Sequence, residues 1–217
     1  MKTIKQEELN AEITEKKSKF IANIFYVESV EEAHEKIKII KRKYYDARHN
    51  CYAYSISEKG EIITKASDDG EPTKTAGAPI LNIIKSGELI NVLVIVTRYF
   101  GGILLGTGGL VKAYTKATQE ALMKAQLVTL EHGMEIKIKI DYENLEGLKY
   151  YCRKNEINII NLEYKDFIEC TLEINNDEKD KIITSNNDNL FKVLEYEVIR
   201  EKNIRKNHWN INSKWEN

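Results

Sequence analysis

The sequence predicts an α+β protein with two domains. Its 217 residues exceed the usual length of one domain, about 150 residues. A hydrophobic fraction of 42% together with a net charge of −1 excludes disorder over most of the chain. Strand and helix patterns alternate throughout, and their arrangement changes near 128–133. We therefore expect a first domain of residues 1–130 and a second of residues 134–199, each folding separately.

The first domain begins with two strand-like segments and a helix. The strands are predicted at 11–17 and 20–27. Ser29 and Glu32 have the spacing of a capping box, in which the serine oxygen accepts from an early amide and the glutamate reaches back to the cap amide. Apolar residues then recur every three or four positions: Val30, Ala33, Ile37, Ile40 and Tyr44. This spacing predicts an amphipathic helix with one side facing a core.

The rest of the first domain alternates strands and helices around two polar or glycine-rich loops. An apolar, β-branched run at 90–97 is typical of a strand buried on both faces. In chain order, we predict a hairpin of 50–57 with 61–64, a loop at 67–79, a short helix at 80–86, that strand, and a helix at 110–126.

The second domain has a different order of elements. Its first strand, at 134–142, alternates isoleucines with charged residues, as a half-exposed strand does. A helix at 143–153, strands at 157–164 and 167–174, a helix at 177–187 and a strand at 191–199 follow. This β-α-β-β-α-β order is that of a ferredoxin-like domain. Residues 200–217 form a basic segment that contains both tryptophans. We interpret this segment as a solvated or loosely docked tail.

Composition also excludes several classes of protein. The longest apolar run, 89–96, is interrupted by Asn91 and is much shorter than the ~20 residues needed to span a bilayer. The first twenty residues contain no apolar segment of the secretory type, so we expect a cytoplasmic protein without membrane attachment. Cys51, Cys152 and Cys170 are odd in number and far apart, which argues against disulfides and structural zinc. We expect no metal and no cofactor.

The strongest local motif is a glycine-rich turn between a buried strand and a helix, at 97–110. Its glycines are Gly101, Gly102, Gly106, Gly108 and Gly109. Such a turn presents free backbone N–H groups to an anion, and the dipole of the following helix points at it. The motif is neither a Walker A loop nor a dinucleotide fingerprint, because the required Lys-Ser/Thr pair and third glycine are missing. Close packing with positive-φ turns would need the same glycines without any ligand.

The second motif is a polar loop that carries three carboxylates within four residues: Asp68, Asp69 and Glu71. Such a group could bind a hard cation such as Mg²⁺ beside a phosphate. No second acidic cluster completes a metal site, so we favour turn formation and pairing with Arg48 or Arg98. Thr75, just before the predicted helix, is placed to cap it.

The third motif, at 46–51, has the sequence DARHNC. His49 and Cys51 are two apart on a predicted strand, so they share a face and could form a base–nucleophile pair. A buried, inert thiol is the commoner outcome for a cysteine in an apolar strand. We therefore favour Arg48 and His49 as polar residues lining a cleft.

Charge gives a weak indication of partner. Residues 1–129 contain 19 basic and 16 acidic side chains, whereas residues 130–217 contain 14 and 18. Neither part is basic enough to establish nucleic-acid binding by charge alone. Six of the 33 basic residues are arginines, which makes Arg48 and Arg98 conspicuous as donors for bidentate anion contacts.

Together these stretches resemble the YigZ/IMPACT family over about residues 1–199. The matching motifs are KSKF at 17–20, DARH at 46–49, SDDGEP at 67–72 with TAG at 75–77 and Pro79, and RYFGG at 98–102 with LGTGGLVKAY at 105–114. The resemblance implies a two-layer α/β N-terminal domain, similar to the fold shared by a ribosomal small-subunit protein, RNase PH and galactokinase-type kinases. It also implies a ferredoxin-like second domain similar to one in a translation elongation factor. Eukaryotic relatives regulate translation initiation under amino-acid starvation.

Two functions are compatible with these features. In the first, a non-enzymatic module linked to translation binds RNA or the ribosome, with Arg48, Arg98 and the glycine-turn amides contacting phosphate. In the second, an enzyme acts on a small phosphorylated or nucleotide-like ligand, using Asp68, Asp69 and His49. We favour the first, because the sequence supplies no complete metal or nucleophile site. The candidate ligand-binding residues are Arg48, His49, Asp68, Asp69, Glu71, Thr75, Arg98, Gly101, Gly102, Gly106, Gly108 and Gly109, and we expect the acidic and glycine loops to meet in one cleft.

Overall fold

The computed structural model describes residues 1–58, 60–184 and 190–206, which form two compact units. The first unit comprises Met1–Val128, and the second begins at Thr129. Each unit has hydrophobic clusters of its own. Separate folding of the two halves stays a prediction.

The first unit contains a five-stranded antiparallel sheet and three helices. In chain order its elements are β1 (Lys2–Ile4), β2 (Glu8–Glu15), β3 (Ser18–Tyr26), α1 (Val30–Lys43), β4 (His49–Glu58), β5 (Glu61–Ser67), α2 (Gly77–Ser86), β6 (Val92–Tyr99) and α3 (Gly106–Leu122). The strands are ordered β2-β3-β6-β4-β5, so the strand that leads into the glycine turn is central. The predicted burial of this strand on both faces is confirmed.

Helices cover both faces of this sheet, which corrects the two-layer domain implied by the resemblance. Helices α2 and α3 pack on the face that carries Phe20 and Val94. Helix α1 packs on the opposite face, against Phe25 and Leu93. The physical reason is that β3 and β6 are apolar on both sides, and a two-layer domain would leave one of those sides in water.

The starts of the three helices agree with the sequence prediction only in part. Helix α1 starts after Ser29, whose Oγ accepts the Glu32 N–H at 3.1 Å, as predicted. The Glu32 carboxylate accepts from the N–H of Glu28 at 2.9 Å rather than from the cap amide, so this capping interaction differs from the prediction. Helices α2 and α3 begin three and four residues earlier than predicted, at Gly77 and Gly106.

The second unit has four strands and two α-helices in the order β-α-β-β-α-β. Its elements are β7 (Leu127–Ile140), a short 3-10 helix (Tyr142–Asn144), α4 (Leu145–Lys154), β8 (Asn158–Tyr164), β9 (Ile168–Ile174), α5 (Asn176–Ile183) and β10 (Glu195–Lys206). The strands are antiparallel and ordered β10-β7-β9-β8. One face of the sheet packs with the helices through residues such as Ile138, Leu148 and Ile182. No helix in the described ranges is both long and apolar enough to cross a membrane.

Two segments that we predicted to be irregular form strands. The expected link at 128–133 lies within β7, and residues 200–206, expected to belong to a tail, continue β10. The register pairs Thr129 with Lys206, so each segment supplies the other's backbone partners. In place of an apolar period, the β10 segment carries basic side chains that pair with carboxylates: Arg200 and Lys202 with Glu135, and Lys206 with Glu178. Residues 185–187 of the predicted helix, and Trp209 and Trp215 with the rest of 207–217, lie outside the described residues.

Candidate functional site

The acidic loop meets the end of β6 at a buried ion pair. Arg98 Nη1 donates to Glu71 Oε1 at 2.7 Å, and only 6% of Arg98 and 9% of Glu71 is exposed. The Tyr114 hydroxyl of α3 donates to the same oxygen at 2.8 Å. Glu71 therefore ties together the acidic loop, the strand before the glycine turn and the helix after it.

Two aromatic rings enclose the Arg98 guanidinium. Its Cζ lies 5.5 Å from the ring centroid of Phe20 and 5.6 Å from that of Phe100. Within the described chain, Arg98 Nε has no hydrogen-bond partner. Because Glu71 already offsets the charge, this geometry supports the interpretation in which Arg98 anchors the acidic loop, rather than a direct contact from Arg98 to a phosphate.

Asp68 caps helix α2. Its carboxylate accepts three backbone N–H groups, those of Lys74, Ala76 and Gly77, at 2.7, 3.0 and 2.8 Å. Thr75 does not cap the helix as predicted, because its hydroxyl donates to the Pro72 carbonyl at 2.6 Å. The carboxylate satisfies amides that would otherwise lack partners, which explains why the helix begins at Gly77.

Asp69 holds the loop against α1 and β4. Its Oδ1 pairs with Lys41 Nζ, and its Oδ2 accepts from the N–H of Asn50, both at 2.7 Å. His49 Nδ1 lies 2.9 Å from the Asp69 carbonyl oxygen. All three carboxylates of the loop are thus engaged by protein donors, and no group of three or more potential ligands is placed to hold a metal ion in the part of the chain that the structure describes.

Cys51 is not suited to act as a nucleophile. It is buried, and its Sγ lies 2.9 Å from the Asp68 carbonyl oxygen and 3.3 Å from the Tyr114 hydroxyl. Burial raises the pKa of the Cys51 thiol to about 12, and the neighbouring carboxylates add to the shift. Because the thiolate is the reactive form, the base–nucleophile pair considered for His49 and Cys51 is not supported.

The fold accounts for most of the glycines in the turn. A Cβ atom at Gly101 would lie 2.0 Å from the backbone carbon of Lys17, so no side chain fits there. Gly102 and Gly106 have φ values of +83° and +73°, in the region that favours glycine. At Gly109, a Cβ atom would lie 2.9 Å from a side-chain carbon of the preceding helical turn.

Gly108 is the exception. It lies exposed in the first turn of α3, without the positive φ that the packing interpretation would require. Apart from its chain neighbours and the backbone of its own helix, no described residue has an atom within 4 Å of a Cβ built on it. The residue at the N-cap, Leu105, makes no side-chain hydrogen bond to the helix. The first turn of α3 is therefore exposed at residues 106–108, and the fold alone does not require glycine at 108.

Exposed basic and apolar side chains lie beside this turn. The Gly101 N–H donates to Ser18 Oγ at 3.1 Å, which holds the glycine turn against the turn between β2 and β3. That second turn exposes two lysines, and the glycine turn exposes three large apolar side chains, Phe100, Ile103 and Leu104. We call this region the glycine-turn surface, consisting of Lys16, Lys17, Phe100, Leu104 and residues 106–108. Sequence reasoning missed its lysines and Phe100, although the side-chain-free Gly101 was a signal that another backbone approaches closely.

Arg48 directly precedes β4, and no contact joins it to the glycine-turn surface among the described residues. It is exposed and, across the described ranges, makes no ion pair. Its neighbour His49 pairs with Arg98 in the register of β4 and β6. The structure thus brings together Arg98, Glu71 and the glycine turn, while Asp68 and Asp69 serve the loop itself.

Sequence comparisons with known proteins point to one family. The Impact N-terminal domain matches residues 16–122. The chain is 39% identical to IMPACT family member YvyE of Bacillus subtilis, over 73% of this chain and 72% of that protein. It is 34% identical to IMPACT family member YigZ of Escherichia coli, over 70% and 76%. A solved structure described as a hypothetical protein is similar at a TM-score of 0.59 and 29% identity, covering 86% of this chain and 91% of that one. The chain belongs to the IMPACT family.

Proposed function

We propose that this protein is a non-enzymatic factor that binds RNA or the ribosome and takes part in the regulation of translation. The observation that carries the proposal is Gly108. It is an exposed glycine in the first turn of α3, the fold does not require glycine there, and the N-cap side chain makes no hydrogen bond to the helix. A helix N-terminus favours anions through its free N–H groups and its dipole. Lys16 and Lys17 place positive charge in the adjacent turn. The resemblance to a family whose eukaryotic members regulate translation initiation agrees with this function.

The same contacts argue against the alternative, an enzyme acting on a small phosphorylated or nucleotide-like ligand. In that alternative, the carboxylates of the acidic loop would have to be free to face substrate or a metal ion. Asp68, Asp69 and Glu71 instead accept hydrogen bonds that hold the loop together. Covalent catalysis would need a thiolate, which the raised pKa of Cys51 disfavours.

We assign RNA binding to the first unit rather than to the open sheet face of the second. The order β10-β7-β9-β8 supports a ferredoxin-like fold for the second unit. On its open face, acidic and basic side chains pair with one another. Arg200 donates to both oxygens of Glu135, at 3.0 and 2.6 Å, and lowers the pKa of that carboxyl. Lys202 bonds to Glu173 at 2.7 Å. A face neutralised in this way attracts phosphate weakly.

The proposal is tested by changing charge and space at the glycine-turn surface. The Lys16→Glu/Lys17→Glu double variant should bind ribosomes and RNA more weakly, because it replaces two cations with anions beside the amides. If each lysine contacts one phosphate, the slope of log K against log salt should fall by about 0.7 for each contact. Gly108→Val should also weaken binding by obstructing the approach to the amides. Ribosome co-sedimentation and RNA affinity across a salt series measure both effects.

Lys38→Glu is the matched control, since Lys38 is exposed on α1, which covers the other face of the sheet. Its affinity should remain near that of the wild type. Gly108→Val should leave the melting temperature unchanged or higher, because glycine disfavours helix. If the full chain binds neither ribosomes nor RNA, the proposed function is wrong. If it binds and these variants bind equally well, the assigned surface is wrong.

A further inference from the structure

We propose that the RNA recognised by the glycine-turn surface is single-stranded, and that an unpaired base stacks on the ring of Phe100. This inference rests on the proposed function and specifies the form of its ligand. Phe100 is 49% exposed and belongs to none of the three hydrophobic clusters of the described chain. Its exposed ring therefore needs an explanation other than the core.

A chain of contacts links this ring to the core. Tyr114 and Phe20, both fully buried, pack edge to face with centroids 5.2 Å apart. The Arg98 guanidinium lies over the Phe20 ring at 5.5 Å and over the Phe100 ring at 5.6 Å. Arg98 is itself held by Glu71 at 2.7 Å. This chain of contacts thus begins in the core and ends at an exposed aromatic ring that is already positioned before any ligand binds.

A positioned, exposed aromatic ring is suited to a nucleic-acid base. Base–aromatic stacking contributes to binding through the flat face that every base shares, so it does not require a particular sequence. The adjacent lysine turn and helix amides supply the sites for the phosphates that flank such a base. Leu104, 82% exposed, adds apolar surface at the same place.

Single-stranded RNA fits these features better than duplex RNA. In an A-form duplex the base faces are covered by their neighbours, and a protein contacts mainly phosphates and 2′-hydroxyls. Phe100 and Leu104 would then contact nothing that compensates for their exposure. Without stacking, the affinity for a duplex has to come from many contacts between basic side chains and phosphates. The glycine-turn surface supplies two lysines, and the whole chain has a net charge of −1.

The test compares one oligouridine, about 12 nucleotides long and within the site sizes of single-strand binders, with the same strand annealed to its complement, using the full chain at fixed salt. We expect the single strand to bind at least tenfold more tightly. Phe100→Leu should weaken single-strand binding by roughly 5- to 100-fold, as expected for the loss of one stacked base. Phe100→Tyr, which retains the ring, should bind within about twofold of the wild type, and duplex binding should not respond to Phe100→Leu.

Tyr150→Leu is the matched control, because Tyr150 is 52% exposed but lies in the second unit. Its removal should not change affinity. Leucine retains apolar cover over Arg98, so the melting temperature of Phe100→Leu should remain near that of the wild type. Phe100→Met provides a second non-aromatic variant if leucine destabilises the fold.

Each outcome separates this inference from the proposed function. Equal or tighter duplex binding would overturn the single-strand inference and leave RNA binding intact. Single-strand binding that is unchanged in folded Phe100→Leu and Phe100→Met would overturn the stack, and would assign the exposed ring to another kind of contact such as a protein partner. An absence of binding to either RNA would overturn the proposed function itself.

Discussion

Arg98→Ala is expected to lower the free energy of unfolding by about 3–5 kcal/mol, because it leaves the Glu71 carboxylate buried without its cation. The Tyr114 hydroxyl would remain as a donor to that carboxylate, and it cannot replace the charge. For a protein of this size, the loss corresponds to a fall in melting temperature on the order of 10 °C. Thermal and urea unfolding of the full chain, followed by circular dichroism, measure the effect.

An exposed ion pair of the same length is the control. Lys19 Nζ lies 2.7 Å from Glu12 Oε2, with about half of each side chain in solvent. Lys19→Ala should therefore cost less than about 1 kcal/mol. The Glu71→Gln/Arg98→Met double variant should recover part of the loss, since neither charge is then left buried alone. An Arg98→Ala variant as stable as Lys19→Ala would show that the acidic loop is held in another way.

Asp68→Ala is expected to have the second largest effect, a loss of about 2–3 kcal/mol. The substitution removes the acceptor for the N–H groups of Ala76 and Gly77 at the start of α2 and of Lys74 just before it, and hydrogen bonds to a charged group contribute more than neutral ones. Asp68→Asn keeps one side-chain oxygen and should cost about half as much. Urea unfolding gives the stability, and hydrogen exchange at Ala76 and Gly77 reports the first turn directly.

Thr75→Val distinguishes this cap from the one expected from the sequence. Thr75 precedes α2, but its hydroxyl bonds to Pro72 rather than to a helix amide. The isosteric change should cost about 1 kcal/mol, the usual value of one neutral hydrogen bond. A larger loss from Thr75→Val than from Asp68→Ala, or protection at Gly77 that does not respond to Asp68→Ala, would contradict the assigned cap.

The sequence could predict elements whose cause is local. The serine cap of α1 and the doubly buried β6 depend on neighbouring residues and on apolar pattern, and both are confirmed. The Asp68 cap joins positions eight and nine apart, and its geometry depends on a loop that turns through positive φ at Asp69 and Gly70. The same course of the loop backbone places Glu71, rather than Asp68 or Asp69, next to Arg98. Sequence spacing cannot determine such a path.

The end of the chain shows a second limit of pattern reading. Residues 200–206 lack an apolar period, yet they form a strand because β7 offers an edge and Glu135 pairs with Arg200. Polar side chains that pair with a neighbouring strand leave no apolar pattern in the sequence of their own strand. The glycine-turn surface is similar, since Lys17 and Phe100 are far apart in sequence and come together through the pairing of β3 with β6 and the close approach of Gly101 to Lys17.

Photo-crosslinking of the full chain to RNA, with the linked peptides identified by mass spectrometry, tests whether RNA binds at the glycine-turn surface. The account predicts crosslinks at Phe100 and in the peptides around Lys16, Lys17 and residues 106–108, and their loss in the Lys16→Glu/Lys17→Glu variant. Crosslinks confined to the second unit, with none on the glycine-turn surface, would contradict it.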